Sequence, residues 1–405
     1  MINALRGMKD IIGEDAEIYS YFIDTCTKIA KNYGFELIET PILEETALFK
    51  RSVGESSDIV GKEMYQFIDK GDNDVCLRPE GTAGVVRAFI QQKMDKAGGI
   101  KRFFYHGPMF RYERPQKGRL RQFHQFGVET FGESSVKEDA TLILMLREMF
   151  EALGIGSKLQ INSLGCLSCM PQYREKLVHF LNTKEGLCED CQRRKQTNPI
   201  RVLDCKNEYC QKLLEDAPLL KDNLCSTCRD DFEELKRILE TFGVSYEVTP
   251  KLVRGLDYYS KTAFEFVSDE IGAQSAIAGG GRYDRLVEFL DGKPTFGVGF
   301  AMGIERLSEL VKMPQKSREG FYMGALCEEA MDSISKLVFD RRKSDKTFTI
   351  YEPKSLKSHL KNADKLYVKF CVCIGEDELR DGNIWIKNLE SKEERLVKIE
   401  DFKGV

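Results

Sequence analysis

The sequence predicts an α+β protein: an antiparallel sheet flanked by helices, interrupted by a cysteine-rich insertion and followed by a small α/β domain. Three observations carry this prediction. Lys101–Glu129 reads KRFFYHGPMFRYERPQKGRLRQFHQFGVE, two aromatic-rich runs separated by a polar run with Pro115 and Gly118. Aromatic runs bounded by Pro/Gly punctuation predict two antiparallel strands joined by a longish loop. Eight of the 13 cysteines fall between Cys166 and Cys228. Beyond Pro314–Gly320 (PQKSREG), a plausible linker, helical and strand patterns alternate again, as in a small α/β unit.

The chain has 405 residues, room for two or three domains, with 42% hydrophobic and 31% charged residues, as in ordinary globular proteins. No apolar run reaches the ~18–20 residues of a membrane span, and MINALRGMKD lacks the apolar core of a signal peptide. No membrane association is expected. Thirteen cysteines without an export signal point to a reducing cytoplasm, where thiols serve as metal ligands or buried side chains. The formal net charge is −4. Any contact with a polyanion must therefore come from local patches.

Residues 16–33 place Ile18, Phe22, Cys26, Ile29 and Tyr33 on roughly one helical face, and Gly34 follows as a C′ residue. In FELIETPILEETALF, Pro41 closes an extended segment, giving with the preceding helix a generic helix–turn–strand. VCLRPEGTAGVVRAFI (75–90) is a short strand, a Pro/Gly turn and a helix start. Glu80 and Thr82 sit at that turn, where a scaffold can aim them into a pocket, or where Thr82 can cap the helix. In the hairpin, side chains alternate faces, so Gln125 shares a face with Glu129 and Arg111 shares one with Glu113. Lys101–Arg121 holds seven Lys/Arg against one acid, a concentrated positive field fit for a polyanion or simply a solvated hairpin. Val136–Leu153 reads as a helix ended by Gly154.

The cysteines occur as CLSC (Cys166, Cys169), CEDC (Cys188, Cys191), CKNEYC (Cys205, Cys210) and CSTC (Cys225, Cys228). Such knuckles suit tetrahedral thiolate coordination, because two sulfurs reach one metal from a tight turn. A structural Zn2+ would help a domain with a limited core to fold. Buried inert thiols are the alternative. Disulfides fit the spacing but not the compartment. The pairing of the four knuckles is open.

After the insertion, LVRGLDYYSKTAFEF (252–266) enters an alternating strand, and AIAGGGRYDRLV (276–287) puts three glycines before Arg282 and Tyr283. A glycine run admits close backbone approach but is a weak phosphate signal. No Walker A sequence and no GxGxxG fingerprint occurs. TFGVGF reads as a strand and AMGIERLSELVK as a helix carrying Arg306 near its start, where charge and helix N-terminus both favour phosphate oxygens. In the C-terminal unit, helices are expected at 328–339 and 355–366, the latter capped by Ser355. Strands are expected at 367–374 and near 383–389 and 395–399. Lys336–Lys369 holds ten Lys/Arg and four Asp/Glu.

Three motifs in order carry a family resemblance. FRYER followed by RQFHQFGVE resembles motif 2 of class II aminoacyl-tRNA synthetases, and specifically of histidyl-tRNA synthetases. LVRGLDYYSKTAFEF is similar to that family's histidine motif, and GVGFAMGIERL (297–307) to class II motif 3. KSLKSHLKNADKL is similar to the family's anticodon-binding domain. The resemblance implies a class II catalytic core at 1–164 and 241–313, the insertion at 165–240 and an anticodon-binding domain at 317–405. It also implies a cytoplasmic homodimer through the motif 1 region, with tRNA(His), L-histidine, ATP and Mg2+ as ligands.

Carried over residue by residue, the resemblance assigns Arg254 and Arg111 as catalytic, beside the α-phosphate and carboxylate. Histidine would be held by Glu80, Gly81, Thr82, Arg111, Gln125, Glu129, Arg254, Tyr258 and Tyr259, with Glu129 and Tyr259 reading the imidazole. ATP would meet Arg111, Glu113, Arg121 and Arg306. The cysteines are not among the family's catalytic motifs, so any metal there is expected to be structural. Two rivals remain: a catalytically silent, synthetase-like regulatory subunit of histidine biosynthesis, and a zinc-dependent nucleic-acid-binding module. The first would be expected to lack the C-terminal domain. The second leaves the arginine-lined hairpin unexplained.

Overall fold

Lys101–Phe110 and Gln122–Phe131 pair antiparallel, with Phe104 opposite Val128 and Gly107 opposite Gln125. The computed structural model describes residues 2–54, 57, 59–116, 118–205, 207–253, 256, 258–271 and 276–404. The hairpin sits inside an eight-stranded sheet whose order is Glu36–Leu37, Lys101–Phe110, Gln122–Phe131, Gly297–Gly303, Ala276–Arg282, Ser260–Val267, Lys158–Ser163, Tyr246–Val248. The inner pairings are antiparallel, and each edge strand pairs in parallel.

One face of this sheet is covered by helices Glu14–Asn32 and Val136–Ala152. Phe22, Cys26 and Ile29 of the first, and Leu142, Leu146 and Met149 of the second, pack on Phe126, Val128, Phe264 and Phe300. These are the positions that helical and strand periodicity mark as apolar. The other face carries Glu129 and Tyr105 and is closed by Thr82–Gln91, through Val85, Val86 and Phe89. A buried ion pair pins the sheet to the helix behind it: Arg282 Nη2 lies 2.7 Å from the Asp139 carboxylate, both side chains essentially inaccessible.

Several local readings need correction. Strand Lys101–Phe110 stops before Arg111, so Arg111 and Glu113 lie in the loop rather than sharing a strand face. The peptide N–H of Tyr112 turns away to the Glu63 carbonyl, which ends the ladder. AMG belongs to strand Gly297–Gly303, and the helix is only Ile304–Ser308. AIAGGGR forms a sheet strand, and Ala276–Gly279 of it lines a cleft described below. A Cβ on Gly280 would stand 2.3 Å from the Gly299 carbonyl and 2.6 Å from Phe264, so this glycine permits close packing. After the extended segment that Pro41 closes, Thr46–Val53 adds a helix.

Residues 165–240 contain helices Met170–Asn182, Glu189–Thr197 and Glu208–Leu213, and most of Ser226–Thr241. The last is shared: Cys228 lies in the cysteine-rich core, while Phe232, Leu235 and Leu239 join the core of the large sheet.

Met1–Met313 and Pro314–Val405 form two compact units. The second has a five-stranded sheet in the order Thr347–Thr349, Phe321–Ala325, Phe370–Ile374, Asn383–Asn388, Glu394–Lys398. Its first three strands are parallel and the rest antiparallel. Helices Met331–Arg341 and Leu356–Lys365 pack on it, and Ser355 Oγ accepts the Ser358 N–H as the expected cap. Among the described residues, no helix is long and apolar enough to cross a membrane.

Candidate active site

Glu129 is buried on the helix-closed face of the sheet, at the centre of a cluster of hydroxyl donors. Its side chain is 1% exposed. Thr82 Oγ1 donates to Glu129 Oε1 at 2.7 Å and the Tyr105 hydroxyl donates to the same oxygen at 3.3 Å. The Tyr283 hydroxyl donates to Oε2. The strand opposite has no room to spare: a Cβ on Gly299 would overlap Glu129 Oε2 at 1.9 Å. Burial pushes the Glu129 carboxyl up to about 8, against the lowering effect of the hydroxyl donors, Tyr283 first.

Glu80 lies beside it, 4% exposed, and accepts the backbone N–H groups of Thr82 at 2.7 Å and Ala83 at 2.9 Å. The helix cap is therefore the Glu80 carboxylate, not the Thr82 hydroxyl, which is turned to Glu129. Burial raises the Glu80 pKa, and the Ala83 and Thr82 N–H groups oppose that shift. Gly81 is required here, since a Cβ would run into the Tyr105 ring at 2.1 Å. Gln125, on the same strand face as Glu129, has a buried Oε1 with no hydrogen-bond partner. The Tyr258 ring packs against Tyr259 at 4.7 Å and edge-on to Tyr283 at 5.7 Å between centroids. Tyr259 is half-buried, and a Cβ on Gly281 would lie 3.1 Å from its ring.

A cleft of about 230 Å³ opens on the loop side, lined by Arg111, Glu113, Arg119, Glu265, Glu305 and Arg306, among others. Arg111 donates through Nε to the Pro79 carbonyl at 2.9 Å and lies over the Phe123 ring. That anchor joins the two sites, because Pro79 precedes Glu80. Arg306 donates to the Ala276 carbonyl. Burial and then the like charge of Arg119 push its guanidinium below the ordinary value, so an anion there would relieve the local field. Glu113 pairs with Arg119 at 2.8 Å.

The structure thus groups Glu80, Gly81, Thr82 and Glu129 through hydrogen bonds and close packing, sets Tyr258 against Tyr283 and Tyr259 at the edge of that group, places Gln125 on the same strand face, and brings Arg111, Glu113 and Arg306 into one cleft. Arg121 stands apart from both sets: it donates to the Glu113 carbonyl and stacks 3.7 Å over the Tyr112 ring. Arg254 lies outside the described residues. Sequence reasoning missed Tyr105, Tyr283, Arg119, Glu265 and Glu305. Of these, Tyr283 carried a signal, the polar tip of an aromatic residue after a glycine strand. Tyr105 is indistinguishable by pattern from a core aromatic.

The eight cysteines form two groups, Cys166/Cys169/Cys225/Cys228 and Cys188/Cys191/Cys205/Cys210, each with its four sulfurs within 4.8 Å of one another. Cys166 Sγ is 3.8 Å from the sulfurs of both Cys169 and Cys225, and Cys188 Sγ is 3.8 Å from that of Cys205. These are not disulfide separations, which are about 2.05 Å. Four thiolates about 2.3 Å from one Zn2+ in a tetrahedron stand roughly 3.8 Å apart, so the donor set fits that ion.

A mainly antiparallel sheet that carries a buried polar cluster around Glu129, with a cleft lined by Arg111, Arg119 and Arg306, has the organisation of a class II aminoacyl-tRNA synthetase. Family models for histidyl-tRNA synthetase and for an anticodon-binding domain match residues 7–307 and 323–405. The histidine–tRNA ligase of Sulfurimonas denitrificans is 66% identical over 99% of this chain and all of its own length. That of Campylobacter jejuni subsp. jejuni serotype O:23/36 is 62% identical over the full length of both. The crystal structure of apo Staphylococcus aureus histidyl-tRNA synthetase superposes with a TM-score of 0.84 at 34% identity, covering 99% of this chain and 98% of that one. The chain belongs to the histidyl-tRNA synthetase family.

The carboxyl at the centre of the cluster leads to a pH prediction. With its folded pKa near 8 and an unfolded value near that of a free glutamate, Glu129 holds a proton in the folded chain that the unfolded chain releases. Stability contributed by the protonated form is therefore lost as pH rises through that window, by at most about 1.4 kcal/mol per pH unit, and the loss levels off above the folded pKa. Urea midpoints without histidine should fall for the native chain relative to Glu129→Gln between about pH 5 and pH 8. Parallel midpoints would contradict the raised pKa.

Proposed function

We propose that this protein ligates L-histidine to tRNA(His) in two steps. The histidine carboxylate attacks the α-phosphorus of ATP, forming histidyl-adenylate and expelling pyrophosphate. A hydroxyl of the terminal tRNA ribose then attacks the acyl carbon, taking the histidyl group and releasing AMP. The observation that carries this reading is the buried Glu129, ringed by Thr82, Tyr105 and Tyr283 hydroxyls, in a chain that also holds a cleft lined by three arginines and three glutamates.

The ionised form of Glu129 offers about four lone-pair sites, three of them met by hydroxyl donors, so an imidazole N–H would take the fourth and favour ionisation of a carboxyl that burial otherwise keeps protonated. Tyr259 would donate to the other ring nitrogen. Glu80, Thr82 and the unpartnered Gln125 oxygen supply acceptors for an ammonium group, which has three donors and accepts nothing. Arg111 and Arg254 are assigned to the carboxylate and α-phosphate. Arg306 and Arg121 are assigned to the distal phosphates. Mg2+, when bound with ATP, would supply positive charge that offsets the triphosphate. The carboxylates of Glu113, Glu265 and Glu305 line the cleft and suit a hard cation. Zn2+ is assigned to the two four-cysteine groups.

A homodimer is supported by exposed apolar side chains on and near the three-stranded sheet, Leu37, Leu43, Phe67 and Ile68. A cytoplasmic location follows from the reduced thiols that such zinc sites need. The C-terminal unit, with its ten Lys/Arg between Lys336 and Lys369, is assigned to the tRNA anticodon end. Charging of a tRNA(His) transcript tests the proposal. Deleting 317–405 should abolish most charging while largely sparing histidine-dependent pyrophosphate exchange, in protein whose dimer persists by sedimentation. Undiminished charging after the deletion would refute the anticodon assignment.

A further inference from the structure

One of the two cysteine groups adjoins the Tyr258–Tyr259 pair. The knuckle Cys166–Cys169 follows strand Lys158–Ser163, which pairs with Ser260–Val267 directly after Tyr258 and Tyr259. The pairing continues beyond the strand end. The Leu164 N–H donates to the Lys261 carbonyl at 2.6 Å, and the Lys261 N–H donates to the Gly165 carbonyl at 2.7 Å. Gly165, at φ +63°, turns the chain into the knuckle, where a Cβ would meet Cys169 at 2.8 Å. Lys261 is itself held at φ +49°, and the pairing with Ala276–Arg282 shifts register beside it. A non-glycine residue in the left-handed region next to a register shift persists only where its surroundings hold it there.

A second tie reaches the same residue. Cys228 opens helix Ser226–Thr241, and Asp231 on that helix pairs with Lys261 Nζ at 3.1 Å. The Cys225 N–H donates to Cys169 Sγ, which closes the circuit. Cys166, Leu167 and Met170 line one cleft of about 320 Å³ together with Tyr258 and Tyr259. The bonds to the sulfurs of the other group stay within its own segment: the Cys188 N–H donates to Cys210 Sγ and the Asn207 N–H to Cys205 Sγ.

We propose that a metal ion held by Cys166, Cys169, Cys225 and Cys228 positions Tyr259 for histidine, whereas the ion at Cys188, Cys191, Cys205 and Cys210 serves the fold of the insertion. The metal is a positioning element and touches no substrate. It fixes the Gly165–Lys261 junction from two sides, and that junction sets where the tyrosine pair enters the strand. The inference rests on the assignment of Tyr259 to the imidazole.

The test compares Cys225→Ser, Cys188→Ser and Lys261→Met in the full-length chain, by elemental analysis and by pyrophosphate-exchange kinetics. Two zinc ions per chain are expected in the native protein and one in each cysteine variant, matching the two groups. Misplacing a binding group by a fraction of an ångström costs on the order of tenfold, so Cys225→Ser should raise KM for histidine by about that factor with KM for ATP little moved. Its rise in histidine KM should be several-fold larger than that of Cys188→Ser. Lys261→Met should keep both metals and still raise the histidine KM, which separates positioning from folding and decides the matter if Cys225→Ser does not fold. Equal histidine KM changes in the two cysteine variants would overturn the proposal. So would a metal-replete Lys261→Met with native histidine KM, or a metal-free native chain with full activity. Absence of histidine-dependent exchange in the metal-replete native chain would instead defeat the functional reading itself.

Discussion

Replacing Glu129 by glutamine is expected to lower kcat/KM for histidine by roughly tenfold to a hundredfold, from the ~1.5–3 kcal/mol of a hydrogen bond to a charged group. KM for ATP should stay near its native value. Glutamine keeps the volume and one acceptor, but its amide NH2 must find acceptors among groups that now donate: Thr82, Tyr105 and Tyr283. The same residue should govern selectivity. An amino acid without an imidazole N–H would leave a buried carboxyl less well satisfied, and a site that hydrogen-bonds its substrate can reject such analogues by about 10⁴ or more without editing. Collapse of ATP binding with histidine affinity intact would make Glu129 a scaffold residue.

Arg111→Ala should slow adenylate formation by a factor of about a hundred or more, since a preorganised charge aimed at developing transition-state charge contributes ~2.7–4 kcal/mol. Arg111 is held by the Pro79 carbonyl and by the Phe123 face, so it is in place before the substrates arrive. Single-turnover formation of histidyl-adenylate should show the loss in rate, while equilibrium binding of histidine weakens much less. Equal losses in both would assign Arg111 to ground-state binding alone.

Much of the fold was legible because it is local. Helices at 16–33 and 136–153 repeat apolar side chains every three to four residues and stop at Gly34 and Gly154, both at positive φ in the structure. The hairpin announced itself by two aromatic runs around Pro115 and Gly118. What stayed hidden is long-range. Which cysteine knuckles share a metal depends on helix Ser226–Thr241 returning to the sheet, 59 residues after Cys166. The Tyr283 hydroxyl meets Glu129 across a separation of 154 residues. The Arg111–Glu113 reading failed because a strand pattern does not say where the ladder ends. Here it ends at Phe110, once the Tyr112 N–H bonds the Glu63 carbonyl. The triple glycine was ambiguous because close approach to a ligand and to a neighbouring strand need the same missing Cβ.

The most direct measurement is pyrophosphate–ATP exchange by the purified chain with each of the twenty amino acids in turn. Exchange that depends on histidine and falls to background with the other nineteen is the predicted result. Exchange supported equally by another amino acid, or none with histidine in the presence of Mg2+, would contradict the assignment of the Glu129 pocket to histidine activation.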